Sequence, residues 1–192
     1  AERLSRLYPE DDEIYEDDDN DVILYRSGDL CVKEWSDVHV NELSSSDILK
    51  YQHFFERIKE ANSQNLSYLP SIERFGISTK SRSLFLVSKF VEGITVDQIE
   101  TTKESRLLLA ANLIEAIIHL HKLGLPIGRI CHGSVLFNLD DNSFIFNDII
   151  DINEYLDHES AYYPSHIDNP TSEQCQNYAI MRLVCEILGF DI

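Results

Sequence analysis

The chain has 192 residues, enough for one domain with a real core or two small lobes sharing one. It is 43% hydrophobic and 10% aromatic, the composition of a folding sequence rather than a disordered one. Its 34 acidic residues against 16 basic ones leave a formal net charge of -18, a field that repels phosphate backbones and anionic lipid, so neither nucleic acid nor membrane is an expected partner.

Nine carboxylates crowd the stretch from Glu10 to Asp21. Their mutual repulsion predicts a solvated, flexible acidic segment over 1–21. Two β-like runs follow, Val22-Ile23-Leu24-Tyr25 and Leu30 to Trp35, with turn chemistry at Ser27-Gly28-Asp29 between them, so a hairpin is expected. Ser44 to Asp47 offers an N-cap for a helix running to about Ala61, with Ile48, Tyr51, Phe55 and Ile58 as its apolar face. Two further strands are read around Ser71 to Ile77 and Ser83 to Phe90. Val91-Glu92-Gly93 then breaks the pattern.

Beyond that break the character turns helical. Thr95 to Ile99 reads as a short helical piece. Thr101-Thr102 caps a long helix from Lys103 to His121, with Leu107, Ala110, Ala111, Ile114, Ile117 and Ile118 on one face and Gly124 as its stop. Val135 to Phe137 and Phe144 to Phe146 form a small hairpin around Asp140-Asp141-Asn142, and a last helix runs from about Ser172 to Leu188, stopped by Gly189. The plan is α+β in two lobes: a β-rich part over 22–91 with one helix, then a helical part over 92–192.

Cys31, Cys131, Cys175 and Cys185 form no C-x-x-C pair and sit in apolar or mixed surroundings, which points to reduced thiols in a cytoplasmic or nuclear protein. No signal peptide is visible, and no apolar run reaches the roughly 18 residues of a membrane span. His119 and His121 are two apart on a helix and point to different faces, so no shared metal site is expected there. Cys131-His132 would need distant help to ligate a metal.

Three stretches in order carry a family resemblance. His119-Leu120-His121-Lys122-Leu123-Gly124 ends a helix and leads through Ile127-Gly128-Arg129-Ile130-Cys131-His132-Gly133-Ser134 into an acidic hairpin. Phe144-Ile145-Phe146-Asn147-Asp148-Ile149-Ile150 follows, and Gln176-Asn177-Tyr178-Ala179 opens the last helix. Together they resemble the catalytic loop, the Asp-Phe-Gly segment and a central helix of the eukaryotic protein-kinase fold. The resemblance covers nearly the whole chain from Val22, and it implies a β-rich N-lobe followed by an abbreviated helical C-lobe. The chain's Leu-Gly-Phe-Asp-Ile ending and its His-Lys-Leu-Gly loop also resemble the pseudokinase module of the general-control eIF2α kinases.

The resemblance also says which phosphotransfer parts are missing. The family's His-Arg-Asp falls on Ile127, Gly128 and Arg129, and a permanent cation cannot take the hydroxyl proton. The loop lysine falls on Cys131 and the metal-binding asparagine on Ser134, a weaker oxygen ligand. No glycine-rich loop precedes Val22. Carboxylates stand there instead, each like-charge contact with a triphosphate costing on the order of 1 kcal/mol. Gln176 replaces the aspartate that braces the catalytic loop.

Lys33 matches the strand lysine that grips phosphate, with Glu56 or else Glu42 as its ion-pair partner. Asp148 or Asn147 falls at the metal-binding aspartate, and Ile150 replaces the following glycine. The implied function is a catalytically inactive pseudokinase, an interaction and regulatory module needing no cofactor. The alternative is an atypical nucleotide-binding kinase using Lys33 and Asp148. The charge admits two readings, solubility and attraction to a basic partner. A protein partner is expected, either a separate basic protein or a kinase or other domain of the same polypeptide, and an abbreviated helical lobe would expose apolar surface that a homodimer would also cover.

Overall fold

The computed structural model describes residues 2–17, 21–36, 38–125, 130–148, 150–152 and 161–190. The chain divides into two compact units. The first comprises Ala1–Asn65 and Pro70–Phe90, and the second Leu66–Leu69 and Val91–Ile192.

The first unit is a five-stranded antiparallel sheet with two helices. Its strands are β1 (Asp12–Asp17), β2 (Val22–Ser27), β3 (Leu30–Trp35), β4 (Ile72–Ser78) and β5 (Ser83–Lys89), in the order β1-β2-β3-β5-β4. The expected β2–β3 hairpin forms around Gly28, with Ser27 opposite Leu30 and Leu24 opposite Lys33. The acidic run is corrected: its residues 12–17 are strand β1, not a flexible segment. β1 pairs with β2 from Asp12 opposite Arg26 to Asp17 opposite Val22, with a bulge at Ile14. Asp11 accepts the Gly28 N–H at 2.6 Å, tying the strand's start to the neighbouring turn. Asp12, Glu13 and Glu16 are exposed, so the charges stay solvated while the backbone is paired. A charged edge strand of this kind also discourages pairing with a foreign chain.

Helix α1 (Glu2–Leu7) brings Leu4 into a cluster with Tyr25, Val32, Phe85 and Val87, against which Tyr8, Ile23 and Leu30 pack. Helix α2 (Ser45–Ser63) starts at a capping box in which the Ser44 side chain and the Asp47 carboxylate satisfy each other's backbone N–H groups. Its buried residues are Phe54, Ile58 and Ala61. Ile58 is buried as expected and Tyr51 and Phe55 are partly buried, whereas Ile48, expected inside, is 45% exposed. The Phe54 ring meets Trp35 edge-on at 5.8 Å, and Phe55 stacks on Phe75 at 5.4 Å. Asn62 donates to and accepts from the Ile72 backbone, 3.1 Å each way, fixing the end of α2 to β4.

The second unit contains α3 (Lys103–Leu123), the hairpin β6 (Val135–Asn138) and β7 (Ser143–Phe146), and α4 (Ser172–Leu188). Both helices are capped by a threonine, Thr102 and Thr171, and stop at left-handed glycines, Gly124 at φ 63° and Gly189 at φ 85°. The buried row of α3 is Leu109, Leu113, Ala116 and Leu120, flanked by Ala110 and Ile117. Leu107, Ile114 and Ile118, expected inside, are exposed. The physical reason is that α3 carries two apolar stripes with the same spacing of four, three and four, and only packing chooses between them.

Phe137, Phe144 and Phe146 of the hairpin gather with Tyr68, whose carbonyl accepts the Phe146 N–H at 2.8 Å. Ile94 bridges Phe137, and this close approach needs Gly93. A Cβ there would stand 2.9 Å from Leu136 Cβ and 3.1 Å from the Phe137 carbonyl oxygen. Arg106 of α3 donates to the Ile187 carbonyl at 2.7 Å and to the Ile99 carbonyl, satisfying the end of α4. Among the described residues no helix is long and apolar enough to cross a membrane.

Candidate functional site

Lys33 lies mid-strand in β3, between Leu24 of β2 and Leu86 of β5, and only 4% of it is exposed. Its ammonium stands 5.3 Å from the centre of the Trp35 ring, a cation–π contact. The expected partner is not there. Glu56 is exposed on α2, no ion pair joins it to Lys33 among the described residues, and Glu42 is exposed beside His39 at 4.0 Å. The reason is the turn of α2: burying Phe54 and Ile58 places Glu56 on the opposite side of the helix.

Glu34, the next residue, is also buried, and sequence reasoning missed it. Burial holds its carboxyl above the ordinary carboxylate range, and the Tyr25 hydroxyl, donating at 3.3 Å, partly offsets that. Tyr25 is itself pushed well above its usual range, first by burial and then by the adjacent Glu34. Two consecutive buried ionisable residues on one strand, pointing to opposite faces, are a costly arrangement.

In the second unit, Ile127 and Arg129 lie outside the described residues. Cys131 and Ser134 are described, and they close a 3-10 turn over His132–Ser134. The Ser134 hydroxyl accepts the Cys131 N–H at 3.0 Å and lies 3.4 Å from the Cys131 sulfur. Its carbonyl accepts the Asn147 N–H at 2.8 Å. Ser134 is therefore a buried brace between the loop and the segment that follows β7, 2% exposed, rather than an oxygen presented at a surface. Asp148 is partly exposed just after β7, and Ile150 is buried. Gln176 is half-buried on the first turns of α4.

The residues that sequence reasoning did not find form a network near α4. The Tyr162 hydroxyl donates to Glu186, and Arg182 pairs with the same carboxylate at 3.1 Å while lying over the Tyr162 ring. Tyr162 is held protonated well past its ordinary range, by burial first and by Glu186 second. An Arg and a Glu four apart on a predicted helix were visible as an i,i+4 pair; the tyrosine was not. Among the described residues no three His, Cys, Asp or Glu side chains are placed to hold a metal ion. All four cysteines are free thiols.

No protein-family model matches the chain. No curated protein matches it either. Solved structures do. The chain is similar to the kinase domain of maize SIRK1, a sucrose-induced receptor kinase, bound to AMP-PNP, at 18% identity and a TM-score of 0.62, over 97% of this chain and 71% of that one. It is similar to Rad53 1-466 in complex with AMP-PNP at 15% identity and a TM-score of 0.59, over 92% of this chain and 46% of that one. It is also similar to the PK-1 kinase of Cydia pomonella granulovirus, at 15% identity and a TM-score of 0.59, over all of this chain and 78% of that one. The chain thus spans under half of the Rad53 chain it matches. A β-sheet region followed by helices fits these neighbours. The fold is protein-kinase-like, α+β.

Proposed function

We propose that the chain is a kinase-fold module that does not transfer phosphate and that works through protein contact. The observation that carries the reading is Ser134. At the position where the resemblance implies a metal ligand, the hydroxyl is buried and committed to the Cys131 backbone. A buried hydroxyl that already accepts a backbone N–H is a poorly presented ligand for a magnesium–nucleotide complex. Arg129 in place of the proton acceptor, and carboxylates in place of a glycine-rich loop, support the same reading from the sequence. Lys33 is then a structural cation, held against Trp35 inside the sheet.

A contact role is supported by the exposed apolar side chains of the second unit. Leu107 is 60% exposed and Leu108 50%, and Ile114 and Ile118 continue along α3. Surface of that kind is what a protein partner or a second copy covers. The charge of -18 favours a basic partner over nucleic acid or an anionic membrane. The free thiols support a reducing compartment, cytoplasmic or nuclear.

The experiment is a pair of measurements on the whole chain. Thermal melting with magnesium and ATP is expected to shift by less than about 1 °C. Radiolabel transfer from ATP to the chain or to a generic substrate is expected to match the background of a Lys33→Ala variant. A shift of several degrees together with label lost in Lys33→Ala would instead establish the atypical kinase using Lys33 and Asp148.

A further inference from the structure

We propose that the groove between α3 and the β6–β7 turn is a binding site for an arginine side chain presented by a basic peptide. The inference goes beyond the absence of phosphotransfer and does not rest on it. The groove has a volume of about 490 Å³ and lies wholly within the second unit. That is within the size range of sites that take small ligands or a peptide side chain.

Its walls are placed by two elements. Asn112, Glu115 and His119 recur at three and four residues along α3, so one face of the helix presents all three. Opposite them, Asn142 sits at the corner of the hairpin with φ 52°, and its side-chain oxygen is buried with no hydrogen-bond partner. Orphaned buried acceptors are rare in native proteins, and one that lines a groove marks where a donor belongs. The Tyr68 hydroxyl and His119 Nδ1 satisfy each other at 2.6 Å. The Glu115 carboxylate therefore remains as an exposed acceptor, and the Asn142 oxygen as a buried one that lacks a donor.

The chemistry of a fitting guest follows. It must bring donors, and it must be cationic, because Glu115 lines the groove, Asp140 and Asp141 belong to the adjoining turn, and no lysine or arginine is among the lining residues. It should also be flat. Tyr68 and Phe144 stand nearly parallel, ring centres 6.4 Å apart, and form an aromatic wall. A guanidinium meets all three demands: a fork of five donors, a permanent charge, and a plane that lies on aromatic rings. An ammonium offers the charge without the fork or the plane.

The test is a nitrogen-15 NMR titration of the whole chain with a blocked glycine-arginine-glycine peptide. Parallel titrations replace arginine with lysine or with neutral, isosteric citrulline. The arginine peptide is expected to move the amides of Asn112, Glu115, His119 and Ser143, and the citrulline peptide to bind about tenfold more weakly. Glu115→Gln, on an exposed helix position, is expected to weaken the arginine peptide about tenfold without changing the rest of the spectrum. Asn142→Gly keeps the left-handed corner, removes the orphaned oxygen, and is expected to weaken it as well. Equal binding of arginine and citrulline, an unchanged affinity in Glu115→Gln, or shifts confined to another surface would overturn the proposal. Lysine binding as well as arginine would overturn the guanidinium assignment.

Discussion

The Tyr25 hydroxyl donates to Glu34 Oε1 at 3.3 Å within the first unit's sheet, while the carboxylates of Asp12, Glu13 and Glu16 on β1 face water. Neither Tyr25 nor Glu34 is suited to ionise there. The first unit thus holds a buried carboxyl that folds more comfortably as the neutral acid, next to a phenol that stays protonated.

Glu34 should therefore impose a pH-dependent cost. Its folded pKa is raised above its unfolded one. The folded chain binds that proton more tightly, and stability falls as pH rises from the ordinary carboxylate range through the raised value. Glu34→Gln removes the titration and keeps the shape. Its stability gain over the parent chain, measured by urea unfolding, should be larger at about pH 8 than at about pH 4, below the ordinary carboxylate range. A gain that is flat across that window would mean that Glu34 is ionised without penalty.

The two apolar stripes of α3 give a direct contrast. Leu109 has no exposed surface, and Leu107 is 60% exposed. Leu109→Ala leaves a cavity and should cost about 2–5 kcal/mol. Leu107→Ala should change stability by no more than about 0.5 kcal/mol. Comparable losses at the two positions in chemical denaturation would show that something covers the outer stripe.

Gly93 should tolerate no side chain. A Cβ would stand 2.9 Å from that of Leu136 and push on the Phe137 backbone, where Ile94 makes its bridge. Gly93→Ala should cost about 1–3 kcal/mol through overpacking, read as a lowered melting temperature. A neutral substitution would mean that the segment shifts away freely.

Much of the fold was legible because local chemistry repeats what the fold requires. Gly189 ends α4 where stop chemistry placed it, and the β2–β3 and β6–β7 hairpins form at their turn residues. Strand β1 was hidden because its carboxylates look like a tail, while the apolar partner that holds it, Val22 to Tyr25, lies in the next strand. The face of α3 was hidden because both stripes obey the same period. Leu66–Leu69 joining the second unit is a tertiary fact with no local signal. At the candidate site, the strand position of Lys33 was readable from its neighbours. The missing Glu56 pair was not, because it depends on how α2 rotates to bury Phe54. The Asn142 corner gave only a turn signal, and its orphaned oxygen exists only in three dimensions.

Ser134 offers the sharpest link between stability and function. Ser134→Ala removes the acceptor of the Cys131 N–H in a buried turn, so the loss should be about 1–3 kcal/mol, several degrees in melting temperature. Ser134→Asn installs the residue that the kinase-fold resemblance implies at this position. The site is 2% exposed and packed around a hydroxyl, so the larger amide must displace its neighbours. The variant should be destabilised by a similar amount and gain no melting shift with magnesium and ATP. If Ser134→Asn folded as stably as the parent and acquired such a shift, the loop would be a nucleotide site disabled by one residue. Destabilisation without any such shift would mean that the turn has been rebuilt around serine, with bracing as its remaining task.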